Sequence, residues 1–559
     1  MPTLFVRKRV HETGRMDILK GETFTEAFNW KSIAKASVAF IIISIFLFHV
    51  LILFSQDHVP AMSTYTLPID KETRTSQVSS TSEPGSINNE LLDGLLASGF
   101  DSQSCLSRYK FASYHRSSSH SNPSSYLISK LREYEERHRR CGPLTEGYSR
   151  TVRRLALDDN SKTECSYVIW NGFNGLGNRM LSMASTFLYA VLTNRIFLIR
   201  NEAEMEGLFC EPFPGSSWKL PREFPWHKKL SDFHFIHLHS YGNFMKKSKN
   251  DSSVFASLPS SLFLYLSFDY GESDKLFYSD EHQNFLSHVP WLILVSDQYF
   301  VPYLFAMEPF KQELDKLFPV KESTFHHLGR YLFHPSNQAW GMITRFFRAY
   351  LDNSDERIGL QIRVVEPDRT PSNLVIDQLL TCADRTRILP QVGDHVNLSG
   401  NKSSKVVLIS SLDSEYYHMI KEVYLTKDTV NGDIVRVHQP SHERYQHFED
   451  INHNIKALTD IYLLSTSDVL LTTSWSTFGY VAQGLAGLKP WILFLSEIGN
   501  PSSGSPCRRA ISMEPCFHYP PYYDKQTGVM QEMKGFTSFH SHCEDAGWGL
   551  KLVDQVQQV

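Results

Sequence analysis

The sequence predicts an α/β protein of two lobes, each built on a mostly parallel sheet, preceded by a membrane-spanning helix and a stem. Three observations lead there. A strand, a glycine-rich loop, a long apolar helix and a returning strand follow one another from Ser166 to Ile199, which is the first part of a βαβ unit. After Asp355, five short strands dominated by Val, Ile and Leu alternate with helical segments, the pattern of a parallel sheet covered on both faces. Ala36 to Phe54 runs 19 residues without a formal charge. A chain of 559 residues is too long for one ordinary core, so two folded domains plus appendages follow.

At the rise of an α-helix the uncharged run spans roughly 28 Å, about the hydrocarbon thickness of a bilayer. Arg7, Lys8, Arg9, Arg15, Lys20, Lys31 and Lys35 precede it, and the first basic residue after it is Lys71. That asymmetry assigns 1–35 to the cytosol, 36–54 to a transmembrane helix and the rest to the lumen, a type II topology. The run begins too late and is too long for a cleaved signal peptide. Residues 55–98, rich in Ser and Thr (TRTSQVSSTSEPGSINNE), read as a flexible stem. Two lumenal signals agree with this topology. Asn250, Asn397 and Asn401 open glycosylation sequons. Eight cysteines, all beyond the span, permit complete disulfide pairing, with connectivity left open. A net charge of −4 and a pI near 6.7 give no nucleic-acid footprint.

The first lobe is assigned to residues 99–354. SYVIW (Ser166–Trp170) forms its first strand, NGFNGLGNRM the turn, and MLSMASTFLYAVLTNR a helix with Leu181, Ala184, Leu188, Val191 and Leu192 at helical spacing. Such a turn presents backbone N–H groups and a helix dipole to an anion. Gly175 and Gly177 permit close approach, and Asn178 and Arg179 offer side-chain donors. A tight turn that needs glycine only for its dihedrals explains the same residues. Met180 stands where a dinucleotide fingerprint needs its third glycine, and no Gly-Lys-Ser/Thr of a P-loop follows. Aromatic-rich loops between Asn201 and Asp352 read either as a platform for sugar rings or as plain core.

The second lobe is assigned to 355–520, with 521–559 packing back on both lobes. In IGLQIRVV (Ile358–Val365), Ile358, Leu360, Ile362 and Val364 share one face while Gly359, Gln361, Arg363 and Val365 share the other. Arg363 thus stands at the strand's C-terminal end, the edge where open α/β sheets bind ligands, and its guanidinium suits a phosphate. A structural salt bridge is the competing reading. Ser410 and Ser411, and the dense run Thr472, Thr473, Ser474, Ser476 and Thr477, end later strands with small hydroxyl donors, which suit ribose, phosphate or base contacts beyond ordinary helix capping.

Several segments together resemble plant cell-wall α-1,2-fucosyltransferases of the xyloglucan fucosyltransferase type: GLGNRMLSMASTFLYAVLTNR, IGLQIRVVEPD, HNIKALTDIYLLSTSDVLLTTSWSTFGYVAQGLAGLKPWIL, MEPCFHYPPYYD and HCEDAGWGLKLV. The resemblance covers about Leu91 to the C-terminus. It implies a GT-B-like fold, two Rossmann-type lobes facing a cleft, with GDP-fucose held chiefly by the second lobe and the acceptor entering from the first. It further implies that Arg363 meets the donor diphosphate and that Asn178 and Arg179 close over it. Gln361, Ser474, Trp475, Ser476, Thr477 and Phe478 become nucleotide neighbours by the same analogy. The implied enzyme is a Golgi type II transferase acting in cell-wall biogenesis, moving L-fucose with inversion to a galactosyl or arabinosyl residue of xyloglucan or arabinogalactan. A homodimer, or a complex with other Golgi glycosyltransferases, is compatible with it.

Inversion needs one in-line displacement and no covalent intermediate. The chain has no Asp-x-Asp motif, which fits a metal-independent enzyme without cofactor, in which cationic groups and helix N-termini stabilise the departing diphosphate. Asp368 and Glu366 are positional candidates for a general base. Neither His442, His447 and His453 nor His540, His542 and Cys543 has a standard zinc spacing. A hydrolase is disfavoured by the lack of a G-x-S-x-G elbow; a catalytically inactive glycan-binding or scaffold protein of the same fold is the other alternative. Lys525 stands where the family pattern has cysteine, which puts one family disulfide in doubt.

Overall fold

The computed structural model describes residues 91–115, 122–159, 164–200, 205–232, 240–250, 259–393, 402–447, 450–496, 504–524, 527–532 and 535–554. The chain divides into two units, Met1–Ser82 and Glu83–Val559, and every described residue belongs to the second. The expected transmembrane helix, most of the stem, Asn397, Asn401 and Lys525 lie outside the described residues. Among the described residues no helix is long and apolar enough to cross a membrane. Asn250 ends a helix, Tyr241–Asn250.

The stem ends earlier than the 98 expected from composition. Leu92, Leu95 and Leu96 are buried in the main core, Arg132 donates to Leu95 O at 2.6 Å, and Arg330 pairs with Asp93 at 2.9 Å. The leucine triplet carries enough apolar surface to dock, which the Ser/Thr tract before it does not.

The first sheet holds β1 (Tyr167–Gly172), β2 (Ile196–Ile199), β3 (Ser261–Leu266) and β4 (Trp291–Ser296) in the order β2-β1-β4-β3, all parallel. Against it packs α1 (Ser125–Cys141) and the more central α2 (Leu176–Leu192). Helix α2 is buried over nearly its whole length, as a helix apolar on all sides must be. Between β4 and the second sheet the chain is mainly helical, including α3 (Thr324–Leu332).

The second sheet holds β5 (Glu356–Ile362), β6 (Ser404–Ser411), β7 (Ile434–His438), β8 (Val469–Thr473), β9 (Trp491–Leu493) and β10 (Cys507–Arg509), ordered β10-β9-β8-β5-β6-β7. Only β10 runs antiparallel. Its covering helices are α4 (Ser372–Thr386), α5 (Glu415–Thr426), α6 (Ile451–Leu464) and α7 (Thr477–Ala486). One face of β5 follows the predicted alternation: Ile358, Leu360 and Ile362 pack with Val375 and Leu379 of α4 and Ile420 of α5. On the other face Gly359 is required, because a Cβ there would stand 2.6 Å from Ser467 Oγ and 2.9 Å from Leu470.

The two sheets share one core. A single cluster joins Met180, Met183 and Phe187 of α2 to Leu458 and Tyr462 of α6, Val481 of α7, and Val406 and Leu470. All eight cysteines pair, as Cys105–Cys210, Cys141–Cys165, Cys382–Cys507 and Cys516–Cys543. The last staples the C-terminal segment beside the hairpin of β11 (His540–His542) and β12 (Leu550–Leu552). Some of the residues weighed for metal have other partners. Cys543 is a disulfide partner, His540 Nε2 lies 3.0 Å from Pro302 O, and His453 Nδ1 stands 3.6 Å from Glu443.

Candidate active site

Each sheet has one point where the strand order reverses, and loops that leave neighbouring strands there splay apart to leave a crevice. In the first sheet the chain moves from β1 outward to β2 and later returns through β4; in the second it moves from β5 outward to β6 and β7 and returns through β8. The turns after β1 and β8 and the ends of β5 and β6 line one cavity of about 360 Å³, large enough for a nucleotide-sized ligand.

Matching turns build the two sides. After β1 comes Asn174 with φ 67°, then Gly175 as N-cap of α2; after β8 comes Trp475 with φ 63°, then Ser476 as N-cap of α7. A left-handed residue swings the chain so that the next helix starts with its amides aimed at the cavity. Asparagine tolerates that conformation. For tryptophan it costs on the order of 1–3 kcal/mol and needs outside support. That support comes from Asp545, whose Oδ2 accepts Trp475 N–H at 2.9 Å and Tyr480 O–H at 2.6 Å. His518 completes the group, its ring stacked on Trp475 at 5.0 Å and its Nε2 3.0 Å from Tyr480 Oη. Burial lowers the His518 pKa.

The two helix N-termini touch. A Cβ on Gly177 would stand 2.7 Å from Thr477 C and 2.8 Å from Phe478 N, so only glycine lets the backbones approach this closely. Thr477 Oγ1 donates to Asn178 Oδ1 at 2.9 Å, and Asn178 Nδ2 donates to Asp297 O at 3.1 Å. Each helix start carries roughly half a positive charge in its free amides, and the cavity meets both.

Arg363 follows β5 into the cavity. Its backbone N–H is held by Thr473 Oγ1 at 3.0 Å, and its Nη2 donates to Gln446 Oε1 at 3.3 Å. Burial lowers its pKa. Of the donor-side residues named from sequence, Gly175, Gly177, Asn178, Gln361, Arg363, Ser410, Ser411, Trp475, Ser476, Thr477 and Phe478 line the cavity. Gln361 is buried, and its Oε1 has no hydrogen-bond partner among the described residues.

Three named residues do not line it. Arg179 was expected to close over an anion from a loop, but α2 begins at Leu176, so residues 176–179 form its first turn. Arg179 turns into the lobe, where its Nε donates to Asn174 O at 2.8 Å. It supports the left-handed turn. Ser474 is held in the sheet by its N–H to Leu493 O at 2.9 Å. Asp368 is exposed and outside the cavity, while Glu366 pairs with Arg369 at 3.0 Å.

The residues that sequence reasoning missed come from α6 and the loop before it: Ser441, Glu443, Gln446, His453, Asn454, Lys456, Ala457 and Asp460. Asp460 is buried and accepts Ser410 O–H at 2.8 Å and Ser441 O–H at 2.7 Å; burial raises its pKa to about 7. Lys456 is spent on Glu443 and holds that carboxyl below its usual range. A signal existed, since His453, Ala457 and Asp460 fall on one face at helical spacing.

The sequence matches the xyloglucan fucosyltransferase family over residues 68–526. The chain belongs to that family. It is 50% identical over 84% of its length to a galactoside 2-alpha-L-fucosyltransferase of Pisum sativum, covering 83% of that protein. To the protein of the same description from Arabidopsis thaliana it is 48% identical, over 83% of each chain. A solved structure of a substituted form of Arabidopsis thaliana FUT1 in complex with GDP superposes with a TM-score of 0.76 at 47% identity, covering 83% of this chain and all of that one. The chain is therefore a fucosyltransferase. Its fold is α/β with two mostly parallel sheets, and the cavity just described is lined by the turn after β1 of the first and by the ends of β5 and β6 and the turn after β8 of the second.

Proposed function

We propose that this fucosyltransferase moves L-fucose from GDP-fucose, with inversion and in α-1,2 linkage, to a galactosyl residue of a cell-wall polysaccharide such as xyloglucan. One observation carries the donor reading: Arg363 and the N-termini of α2 and α7 surround a single cavity. Three sources of positive potential around one space suit a diphosphate. The names of the relatives and the GDP in the solved FUT1 structure support the same donor and linkage. An arabinosyl acceptor of arabinogalactan is the other acceptor the family resemblance allows.

Asp460, which also lines the cavity and is fixed by Ser410 and Ser441, offers two carboxylate oxygens to the paired N–H donors on a guanine edge. The diphosphate then reaches Arg363, displacing the weak 3.3 Å contact with Gln446. As the acceptor hydroxyl oxygen bonds to the anomeric carbon and gives up its proton to water, the fucosyl–oxygen bond breaks and negative charge grows on the leaving diphosphate. Arg363 and the helix amides are already oriented toward it, so they stabilise the transition state more than the ground state. No divalent cation is required in this reading.

We place the enzyme in the Golgi membrane as a single-pass type II protein with its lobes in the lumen. The family reading, the uncharged run Ala36–Phe54 and its basic N-terminal flank support that placement. Full-length protein incubated with labelled GDP-fucose and fucose-free xyloglucan, with and without EDTA, tests the reading. Alkali-stable transfer to galactose in both conditions is expected. Transfer lost on chelation and restored by a divalent cation would refute the metal-independent clamp, and no transfer from GDP-fucose would refute the function.

A further inference from the structure

Of the two readings of the aromatic-rich loops between Asn201 and Asp352, sugar platform or plain core, the described residues favour core. Among the described residues there, Phe213, Trp218, Tyr241, Phe277 and Trp291 are core. A row of partly exposed rings instead leaves the cavity along the C-terminal segment. It starts at Trp475, which lines the cavity and is 38% exposed. Trp548 follows at 5.3 Å between ring centroids, and Tyr523 lies flat on Trp548 at 5.0 Å with 13° between planes.

The row is held rigidly. Asp545 fixes the Trp475 backbone, His518 supports that ring from the buried side, and the Cys516–Cys543 disulfide frames the segment. A Cβ on Gly549, next to Trp548, would stand 2.6 and 2.9 Å from the two sulfurs. Asp545 beside the row turns its Oδ2 to Trp475 N–H and Tyr480 O–H. Contiguous apolar surface left in water next to a site marks a place where something binds. Flat π faces in a row suit the C–H faces of uncharged pyranose rings.

We infer that Trp475, Trp548 and Tyr523 form the acceptor platform, on which neutral sugar residues neighbouring the fucosylated one stack as they leave the cavity. This rests on the transferase reading above and adds to it where the polymer runs. It makes Trp548 and Tyr523 determinants of polymer recognition and gives them no part in donor binding.

Full-length Trp548→Ala, Trp548→Phe and Tyr523→Leu, assayed with GDP-fucose against fucose-free xyloglucan and against a galactosyl disaccharide too short to reach past the cavity, test this. Trp548→Ala is expected to raise the polymer KM about 3- to 10-fold, the scale of one lost aromatic contact. Trp548→Phe recovers most of that loss, and GDP affinity by calorimetry stays within twofold in both. Tyr523→Leu follows Trp548→Ala with a smaller rise. Unchanged polymer KM in a folded Trp548→Ala would overturn the platform, and should Trp548→Ala fold poorly, seen as lost GDP binding, unchanged polymer KM in Tyr523→Leu would do so. Equal shifts in polymer KM, disaccharide KM and GDP affinity would show a purely structural role and overturn it too. Wild-type protein that transfers fucose to neither acceptor would instead bring down the underlying function.

Discussion

Gly177→Ala puts the contact between the two helix N-termini to the test, because two opposed effects act there and the distances decide which wins. Alanine in place of glycine within a helix should stabilise by up to about 1 kcal/mol from propensity alone. The new Cβ, however, would meet Thr477 C at 2.7 Å and Phe478 N at 2.8 Å, about 0.8 Å short of an unstrained carbon contact. Both obstacles are backbone atoms of α7, so no side-chain rotation relieves them. Overpacking of this kind typically costs about 1–3 kcal/mol, which outweighs the propensity gain. The wedge also opens the Thr477–Asn178 hydrogen bond and spreads the amides that face the cavity. If one charge-assisted hydrogen bond to the diphosphate is lost, GDP affinity falls by about 1.5–3 kcal/mol, roughly 10- to 150-fold. Calorimetric titration with GDP, together with thermal melting, measures both effects. A variant that melts at or above the wild-type temperature and binds GDP within twofold of wild type refutes the reasoning.

Three further outcomes follow. Arg363→Ala should lower kcat/KM for fucose transfer at least 100-fold, with melting within a few degrees of wild type, since only one half-buried side chain and a 3.3 Å contact are lost; more than a tenth of wild-type turnover would remove Arg363 from the mechanism. Asp545→Ala leaves left-handed Trp475 without its N–H partner and should weaken GDP binding about 10-fold, whereas Asp545→Asn, which can still accept, should lose less; equal losses in the two would exclude the positioning role. Melting temperature should fall between about pH 6.5 and 8, because burial raises Glu514 to about 8 and Glu135 and Asp460 to about 7. The folded state therefore binds more protons than the unfolded one, and stability present below the ordinary carboxyl range is lost as pH rises through these values. His138, His334 and His540, whose pKa values burial lowers to about 4, 3 and 4, act in the opposite sense only below about 6.5. Glu514→Gln should flatten the neutral limb, and a melting temperature that rises from pH 6.5 to 8 would refute the assignment.

The parts of the site legible in the sequence are those encoded within a few residues. The alternation in IGLQIRVV placed Arg363 at a strand end, and the hydroxyl-rich run after DVLLTT supplied Ser476 and Thr477, which line the cavity, because strand period and turn chemistry are local signals. Arg179 was misplaced by a local error of a different kind: the turn seemed to continue through GLGNR, whereas Gly175 already caps the helix and Arg179 lies one turn in. Asp460 and Gln446 escaped notice because they depend on distant partners. Asp460 meets Ser410, 50 residues away, through a crossover. The stem boundary failed for a similar reason, since LLDGLL looks like part of a polar tract until Arg132 and Arg330 from distant helices hold it.

The shared core explains why the site depends on long-range contacts. In two lobes joined only by a linker, cavity shape would follow from hinge position. Here α2 belongs to the first sheet by sequence yet packs on α6 and α7 of the second. Its N-terminus is therefore placed by both lobes at once. The same helix start touches α7 through Gly177, and α7 is preceded by Trp475, whose strained turn is held by Asp545 from the far end of the chain. Three segments, around residues 177, 477 and 545, thus converge within one or two contacts of the cavity. A site built this way is pre-organised at the cost of tolerance: small residues at the contact and a carboxylate on a disulfide-framed loop matter as much as the arginine that faces the ligand.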